Sequence, residues 1–407
     1  MPEVPESILE PAAQDEAMIR TYHYPMKATR RQLAVLDHWR VQCAELYNAA
    51  LEQRRTAWRM SRTSVTRYDQ TRDLAELRTA MPEWASLPSD IARSALARLD
   101  RAFAAFFRRV NAGQTPGYPR FRSVHRYDSF GLGCVAVAGG RVRVPKLGWV
   151  RFHEYRPLAG EVKHVEIRRT ATRWWVCIAV DLGPAPEKRV VRAATGIDLG
   201  LHHFAVLADG EAVANPRHFA TGHRNLARRQ RALTRAERGS HNRTKARRRL
   251  ARAHEHVANQ RRDFHRKVAA DLCARYDLIA HEALNVKGLA ASRLAKSVHD
   301  AGWGQFLATL ALKAENAGVH VVAVDPFGTS QNCSACGTVV RKSLAERTHR
   351  CDCGAVLDRA HNAALNILAR GRRAVACGGD VSRLDFGRVA APMKQEVPLG
   401  ISDVQRN

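Results

Sequence analysis

Two closely spaced pairs of cysteines constrain the fold of this chain more than any other feature of its sequence. Cys333-x2-Cys336 and Cys351-x-Cys353 are separated by fourteen residues, and a glycine follows each pair. Each pair can supply half of a tetrahedral zinc site, and the glycines permit tight turns that aim backbone N–H groups at the sulfurs. The second pair is one residue shorter than the usual C-x2-C. We predict one structural Zn²⁺ bound by Cys333, Cys336, Cys351 and Cys353.

The other five cysteines argue against a disulfide framework, because they are scattered along the 407 residues. A reducing compartment with one zinc site fits this pattern better. The acidic N-terminal segment has no apolar core and does not resemble a signal peptide, and no apolar run reaches the roughly 18 residues of a membrane span. We expect a cytoplasmic protein with no membrane partner, and small core or surface roles for Cys43, Cys134, Cys177, Cys273 and Cys377.

Three acidic residues stand where a strand ends or a helix begins. They are Asp198 in ATGIDLG, Glu282 in DLIAHE and Asp358 before RAHNAALNIL. A carboxylate in an apolar strand is costly to bury unless it is paired or binds a metal. Each has a structural alternative, as a strand-end residue for Asp198 and Glu282 and as a helix N-cap for Asp358. Together they predict a site for two divalent metals about 3.5–4 Å apart, an arrangement that serves in-line cleavage of phosphodiesters.

Other polar residues near these segments compete for a place in the site. Asp325 ends the apolar stretch HVVAV, and we assign it to a structural turn with the proline that follows. His202, His203 and His281 adjoin the acids. We expect these histidines to be packed or solvated and do not assign them as metal ligands.

The chain carries a formal net charge of +27, which indicates a polyanionic partner such as nucleic acid. Residues 224–267 contain fourteen arginines and two lysines against three acids. This stretch could be a solvated face. However, so many unpaired arginines would repel one another, which favours a surface that binds phosphates. The arginines that we expect to contact nucleic acid are Arg224, Arg228, Arg231, Arg235, Arg247, Arg248, Arg249 and Arg252.

Apolar periodicity divides the chain into helical and strand-rich parts. Stripes at helical spacing predict helices over residues 29–60, with Thr29 as N-cap, and 88–111. We expect the apolar stripe of the second helix to lie in the core of a helical bundle. Alternating Val, Ile and Trp residues predict short antiparallel strands over 115–190. After residue 190, three strands with an acid on the first predict the start of an RNase H-like sheet, followed by two long basic helices.

Four segments, in this order, resemble the TnpB family: GIDLG, HEALNVKGL, CSACG…CDCG and LDRAHNAALNIL. In the N-terminal half, ATRRQLAVLDHWRVQCAELYNAAL, LPSDIARSALARLDRAFAAFFRR and VPKLGWVRF add to the resemblance, which covers residues 20–372. Members of this family are RNA-guided nucleases carried by insertion sequences and related to compact type V CRISPR effectors. One departure is DRA, where Ala360 replaces the second acid of the family's usual DRD, while Asp358 keeps the first.

The resemblance implies a multidomain α/β protein with an RNase H-like RuvC domain, a zinc-ribbon insert, an N-terminal helical recognition lobe and a small β-barrel wedge domain. It implies that Asp198, Glu282 and Asp358 are catalytic and hold two Mg²⁺, while the four cysteines hold one Zn²⁺. The expected boundaries are a disordered N-terminus 1–18, a first wedge strand 19–28, the recognition lobe 29–114, the wedge β-barrel 115–189, the RuvC-like domain 190–325, the zinc-binding insert 326–357, the end of the RuvC-like domain 358–375 and a disordered tail 376–407.

The implied function is that of an RNA-guided DNA endonuclease in the bacterial cytoplasm, associated with the nucleoid, with a guide RNA and double-stranded target DNA as partners. A transposase that joins transposon ends is an alternative, since RNase H-like acids alone do not exclude it. A catalytically silent RNA-guided DNA-binding repressor is another, against which the three intact acids argue. A plain zinc-ribbon transcription factor would leave the RuvC-like segments without a role. The sequence leaves the oligomeric state open.

Overall fold

The computed structural model describes residues 17–133, 135–343 and 345–376. The chain divides into two compact units, Met1–Pro184 and Ala185–Asn407, and each has a hydrophobic core of its own. The disordered segments expected at the two ends lie outside the described residues, apart from residues 17, 18 and 376. Among the described helices, none combines the length and the apolar character needed to cross a bilayer.

The first unit combines a group of helices with one large sheet. Its helices are α1 (Arg30–Ser61), α2 (Arg67–Ala80), α3 (Pro82–Ala85) and α4 (Ser89–Asn111). Helix α1 begins as the sequence predicts. The Thr29 hydroxyl accepts the N–H of Gln32 at 3.2 Å, and the Gln32 side chain accepts the N–H of Thr29 at 3.0 Å. This reciprocal capping box satisfies two backbone donors at the start of the helix.

Helix α4 buries its apolar stripe except at the C-terminal end. Ala92, Leu96 and Leu99 are fully buried and Phe103 is partly buried against the same core, whereas Val110 is 45% exposed. The expectation that the whole stripe lies in a bundle core is therefore wrong for Val110. Helical periodicity identifies the apolar face of a helix, but how far a neighbouring element covers that face depends on tertiary packing.

The sheet of the first unit has seven strands in the order β2-β6-β7-β1-β5-β4-β3. Strand β1 is central. It pairs antiparallel with β7 from Ile19 to Pro25 and with β5 at Met26 and Lys27. The strands are β1 (Ile19–Lys27), β2 (Ser129–Gly133), β3 (Val137–Ala138), β4 (Arg141–Val144), β5 (Gly148–Phe152), β6 (Glu161–Arg169) and β7 (Trp174–Asp181).

The expected closed β-barrel is wrong. Within the described residues, β2 and β3 are the two edges of the sheet and do not pair with each other. Strand β3 has only two residues, which is too short to form a continuous ladder, and β2 packs against α4. The predicted antiparallel strands are present, but they form an open sheet.

The second unit is built around a five-stranded sheet in the order β10-β9-β8-β11-β12. Strands β8, β9 and β10 are antiparallel, whereas β11 is parallel to both β8 and β12. The strands of the unit are β8 (Ala194–Leu199), β9 (His203–Leu207), β10 (Ala212–Ala214), β11 (Leu278–Glu282) and β12 (His320–Val324), with a separate hairpin of β13 (Thr348–Arg350) and β14 (Val356–Asp358).

Helices lie on both faces of this sheet. The helices are α5 (His218–Arg235), α6 (His241–Arg275), α7 (Val286–Ala290), α8 (Ala295–Ala301), α9 (Trp303–Glu315) and α10 (Arg359–Ala376). The larger core contains Leu272 of α6 and Phe306 of α9. The smaller core joins Ile367 of α10 to Leu278 and Val322 of the sheet. The break between the two basic helices falls at residues 236–240, as the sequence predicts.

Helix α10 packs closely against the sheet at two glycines, Gly196 of β8 and Gly371 of the helix itself. A methyl group on Gly196 of β8 would overlap backbone atoms of Ala364 and Leu368, and one on Gly371 would overlap the methyl group of Ala280. Glycine is required at these places because the backbone of the helix and the strand approach so closely. The contact fixes the start of α10 relative to the end of β8.

Replacing Gly196 with alanine is expected to destabilise the second unit, because the added methyl group would displace α10. Overpacking of this kind costs about 1–3 kcal/mol, so the melting temperature of the full chain should fall in calorimetry. Gly304→Ala is the matched control, since Gly304 lies in α9 with open space at the Cβ position and should tolerate alanine. Equal melting temperatures for wild type and Gly196→Ala would contradict the close contact.

Candidate metal sites and basic surface

Asp198 and Glu282 lie on neighbouring parallel strands at the same edge of the sheet. The pairing of β8 with β11 aligns Gly196 with Ala280 and Ile197 with His281. Continued by one residue, this register places Glu282 beside Asp198. Both side chains are partly buried. The carboxyl ends of these two strands therefore bring together two of the three acids singled out in the sequence.

Asp358 lies at the junction of β14 and α10. Its Oδ1 accepts the backbone N–H groups of Ala360 at 2.8 Å and His361 at 3.3 Å. The structural alternative, an N-cap for α10, is thus present. The same carboxylate also faces the other acids closely enough for its charge to raise the pKa of Asp198. Asp358 therefore both caps α10 and lies near the other two acids.

The acids lie in an environment that opposes their charge. Burial, followed by the charges of Glu282 and Asp358, raises the pKa of Asp198 to about 7, against a smaller opposite effect of Arg359. Burial also raises the pKa of Glu282, while a hydrogen bond from Thr329 and the charge of Arg370 act in the other direction. Desolvation and like charges are the two ordinary causes of such shifts. The site therefore holds more negative charge than its own cations offset.

The ligand oxygens of the three carboxylates do not meet at one point. In the part of the chain that the structure describes, the four cysteines are the one group of three or more Cys, His, Asp or Glu side chains whose ligand atoms meet at a point. The ligand oxygens of the three acids are spaced more widely than these sulfurs. Their arrangement around one sheet edge still suits hard divalent cations, which prefer carboxylate oxygens.

The neighbouring polar residues occupy the places expected of them. Asp325 is exposed and accepts the N–H of Phe327 at 3.0 Å, which forms the predicted turn. His281 is buried, with its Nδ1 2.9 Å from the backbone oxygen of Glu282, and burial lowers its pKa. The rings of His202 and His203 contact each other, with centroids 4.5 Å apart.

Several residues of this region were not identified from the sequence. The buried Thr329 donates its hydroxyl to Glu282. Asn362 and Asn366, one turn apart on α10, both donate to the backbone oxygen of Asn332 at 2.8 Å. Their i,i+4 spacing in HNAALN is a signal that could have indicated a polar face on this helix. Their contacts hold the segment between β12 and the cysteines against α10.

The four cysteine sulfurs form a compact cluster. Cys333 and Cys353 are 3.7 Å apart at Sγ, and Cys336 and Cys351 are 3.5 Å apart. All four sulfurs lie within 4.8 Å of one another. A tetrahedral site with Zn–S bonds of about 2.3 Å has S–S edges of about 3.8 Å. The spacing fits a zinc ion, and the short C-x-C pair does not prevent it.

Both cysteine pairs are followed by glycines with positive φ, 80° at Gly337 and 90° at Gly354. Their N–H groups close the turns by donating to the carbonyl oxygens of Cys333 and Cys351, each at 2.9 Å. The predicted tight turns are therefore present, although carbonyl oxygens accept these N–H bonds in place of the expected sulfurs. Hydrogen bonding with Thr338 lowers the pKa of Cys336 to about 6, which favours the thiolate form of this one cysteine.

Helices α5 and α6 pack side by side around a thin apolar seam of Leu226, Leu250 and Val257. Their outer faces carry the eight arginines named above, and every one is exposed. In the described part of the chain, none of the eight lies within ion-pair distance of a carboxylate. We call this set of eight arginines the basic surface. It offers positive charge that the described residues do not neutralise.

Comparisons with known proteins agree with the motifs. A family described as "Probable transposase" matches residues 176–293, and one described as "Cas12f1-like, TNB domain" matches residues 303–367. A Streptomyces pristinaespiralis protein named "Putative RNA-guided DNA endonuclease" is 33% identical over 384 residues, covering 89% of this chain and 92% of that protein. In Escherichia coli K12, "Putative RNA-guided DNA endonuclease InsQ" is 31% identical over 331 residues, covering 76% of this chain and 79% of that protein.

A solved structure described as "Cryo-EM structure of the Cas12f1-sgRNA-target DNA complex" superposes with a TM-score of 0.55 at 13% sequence identity. The match covers 86% of this chain and 98% of that one. The fold is thus a multidomain α/β fold of the Cas12f-like class. The sequence relatives identify the chain more narrowly than the fold does. The chain belongs to the TnpB family.

The purified protein is expected to contain one zinc per chain, because four thiolates at tetrahedral spacing bind Zn²⁺ tightly. Cys333→Ser and Cys353→Ser should lose the metal and lower the melting temperature, since structural zinc contributes folding free energy directly. Elemental analysis of unchelated protein measures this, with Cys273→Ala as a control that leaves the cluster intact. Protein without zinc, or zinc retained by both serine variants, would contradict the site.

Asp198 should make the metal-free protein less stable as pH rises. Its pKa in the folded state, about 7, lies above the value of about 3.9 expected in the unfolded chain. The stabilising contribution is therefore present below about pH 4 and lost as pH rises through 7. In EDTA, Asp198→Asn should melt at a higher temperature than wild type at pH 8 and differ less at pH 4. Parallel pH profiles for the two proteins would contradict the raised pKa.

Proposed function

We propose that this protein is an RNA-guided DNA endonuclease encoded by an insertion sequence. It cuts DNA that matches a guide RNA, next to a short flanking motif, by RuvC-type hydrolysis of a phosphodiester. The observation that carries the proposal is the placement of Asp198 and Glu282 at one edge of the sheet with Asp358 nearby, so that the charges of Glu282 and Asp358 raise the pKa of Asp198. The names of the close relatives support the same activity.

The strand order supports a RuvC-like assignment for the second unit. Three antiparallel strands with an acid on the first agree with the start of an RNase H-like sheet predicted from the sequence, and the parallel strands β11 and β12 extend that sheet. The cysteine cluster lies between β12 and α10, which agrees with a zinc-binding insert at 326–357. We assign residues 29–114 to recognition of nucleic acid and the sheet of the first unit to the wedge role, with the boundaries expected from the sequence.

Asp198, Glu282 and Asp358 would hold two Mg²⁺ ions. The negative charge of the partly buried Asp198 and Glu282 fits such ions, since a divalent cation would offset what Arg359 and Arg370 leave unbalanced. Bound metals of this kind activate a water molecule and stabilise the leaving oxygen of an in-line displacement. Thr329 fixes the orientation of the Glu282 carboxylate by donating its hydroxyl.

The basic surface of α5 and α6 would bind the sugar–phosphate backbone of the guide RNA and its duplex with the target strand. Arginines that grip phosphates position a nucleic acid without reading its sequence. Base pairing with the guide would supply sequence specificity, and the protein would check the flanking motif, as Cas9-type effectors do. Affinity should therefore fall steeply with salt, since each neutralised phosphate releases counterions.

A transposase that joins transposon ends is the second candidate, and the family description "Probable transposase" favours it. Such an enzyme also uses acids on an RNase H-like sheet. The match of residues 303–367 to a Cas12f1-like segment and the names of the relatives favour the nuclease. A silent DNA-binding repressor has no need of three acids, although Ala360 shows that the DRD motif has changed.

Replacing any of the three acids with alanine should lower the cutting rate by several orders of magnitude, because each substitution removes a metal ligand. RNA binding should remain near normal. Asp325→Asn is the matched control, since it removes an exposed carboxylate from the same region but keeps the oxygen that accepts the N–H of Phe327. Single-turnover cutting of a guide-matched duplex measures the effect. Full activity of Asp198→Ala, or loss of activity in Asp325→Asn, would overturn the assignment.

Exchanging the guide should redirect the cut. RNA that co-purifies with the protein should be sequenced, and its guide segment replaced by one that matches a new DNA with the same flanking motif. The proposal expects cutting at the new site, none with a mismatched guide and none without RNA. Cutting or strand joining at fixed transposon ends without RNA would instead establish the transposase.

A further inference from the structure

Phe327 is the most exposed large hydrophobic side chain among the described residues, with 83% of its surface open to solvent. It lies in residues 325–332, the segment that follows β12, which we call the β12 loop. Thr329, two residues further on, donates its hydroxyl to Glu282. The exposed ring therefore lies on the segment that contacts Glu282, one of the candidate catalytic carboxylates.

The β12 loop is held in place by side chains of α10. Arg370 donates to the backbone oxygen of Asp325, and Asn366 donates to the backbone oxygen of Thr329. Asn332 accepts from the same helix, and Gly328 takes a left-handed conformation with φ 71°. A loop fixed at its start, middle and end cannot easily fold its phenylalanine back onto the protein.

A single exposed phenylalanine is ordinary on a protein surface. Phe327 differs because it lies two residues from Thr329, which donates to Glu282, on a loop that α10 holds by hydrogen bonds. The other large hydrophobic residues that are exposed in the described part of the second unit are aliphatic: Val190, Leu294, Leu312, Val339 and Val356. An aromatic ring held in position is suited to binding a flat ligand, because little conformational entropy is lost on contact.

We propose that Phe327 stacks on a nucleobase of the single DNA strand whose phosphodiester is cut at Asp198 and Glu282. This inference rests on the proposed nuclease function. Arg359 and Arg370, which act electrostatically on the two carboxylates, supply positive charge for the phosphates of that strand. Bases in a duplex hide their faces, so the partner is an unpaired nucleotide. Stacking of this kind tolerates any base, because every base presents a π face.

The test is a double-mutant cycle that combines substitution of Phe327 with removal of single bases from the DNA. Single-turnover cutting is measured with a matched guide on a target whose strands are unpaired around the cut. Phe327→Ala should cut roughly tenfold more slowly, and Phe327→Trp should cut near the wild-type rate. Abasic residues are then placed one by one along the cut strand. One position should slow wild type about as much as Phe327→Ala does, and should not slow Phe327→Ala further.

Leu312→Ala is the control, since it removes an exposed apolar side chain from α9 and should cut at the wild-type rate. Equal cutting by wild type and Phe327→Ala, or abasic effects that are the same in both proteins, would overturn the stacking. A loss in Phe327→Ala that Phe327→Trp shares would also overturn it, because it would indicate a role in the packing of the loop.

Ultraviolet cross-linking separates this inference from the proposed function. Asp198→Asn, which should not cut, is mixed with a matched guide and a target carrying 5-bromodeoxyuridine at each position around the cut in turn. A cross-link to the peptide containing Phe327 supports stacking whether or not the wild type cuts. A wild type that cuts without such a cross-link would retain the nuclease and exclude the stacking. A cross-link in a protein that never cuts would support the stacking and exclude the nuclease.

Discussion

The contact of helix α10 with strand β8 at Gly196 is the constraint on which the candidate site depends. Because glycine has no side chain, the helix backbone reaches the strand that carries Asp198. The first turn of the same helix is capped by Asp358. Further along, Asn362 and Asn366 hold the β12 loop, whose Thr329 contacts Glu282. This close approach of backbone to backbone thus places α10, and with it Asp358 and the residues that hold the β12 loop, against the strand that carries Asp198.

The placement of the acids lowers the stability of the folded protein. Asp198 is partly buried near two other carboxylates, and the arginines nearby offset only part of that charge. A protein selected for stability alone would not keep this arrangement, because buried like charges are expensive. Stability given up at a functional site is a common trade. Under the proposed function, the same excess charge would favour the binding of divalent cations.

The sequence predicted what local patterns encode and missed what distant contacts decide. The strands that carry Asp198 and Glu282, the cap at Thr29, the paired basic helices and the cysteine cluster all follow from short-range spacing. The exposed end of the α4 stripe and the open sheet of the first unit depend on which elements cover each other. Thr329 could not be identified, because its partner Glu282 lies 47 residues away in the sequence. The roles of Asp198, Glu282 and Asp358 in catalysis stay predictions.

The central claim is that these three carboxylates form one metal centre when cations are present. Electron paramagnetic resonance of the protein titrated with Mn²⁺, in complex with guide RNA and uncut DNA, tests this directly. We expect the spectrum of a spin-coupled pair of Mn²⁺ ions in the wild type, and its loss in Asp198→Asn. Isolated Mn²⁺ signals in the wild type, or a coupled pair that persists in Asp198→Asn, would contradict the account.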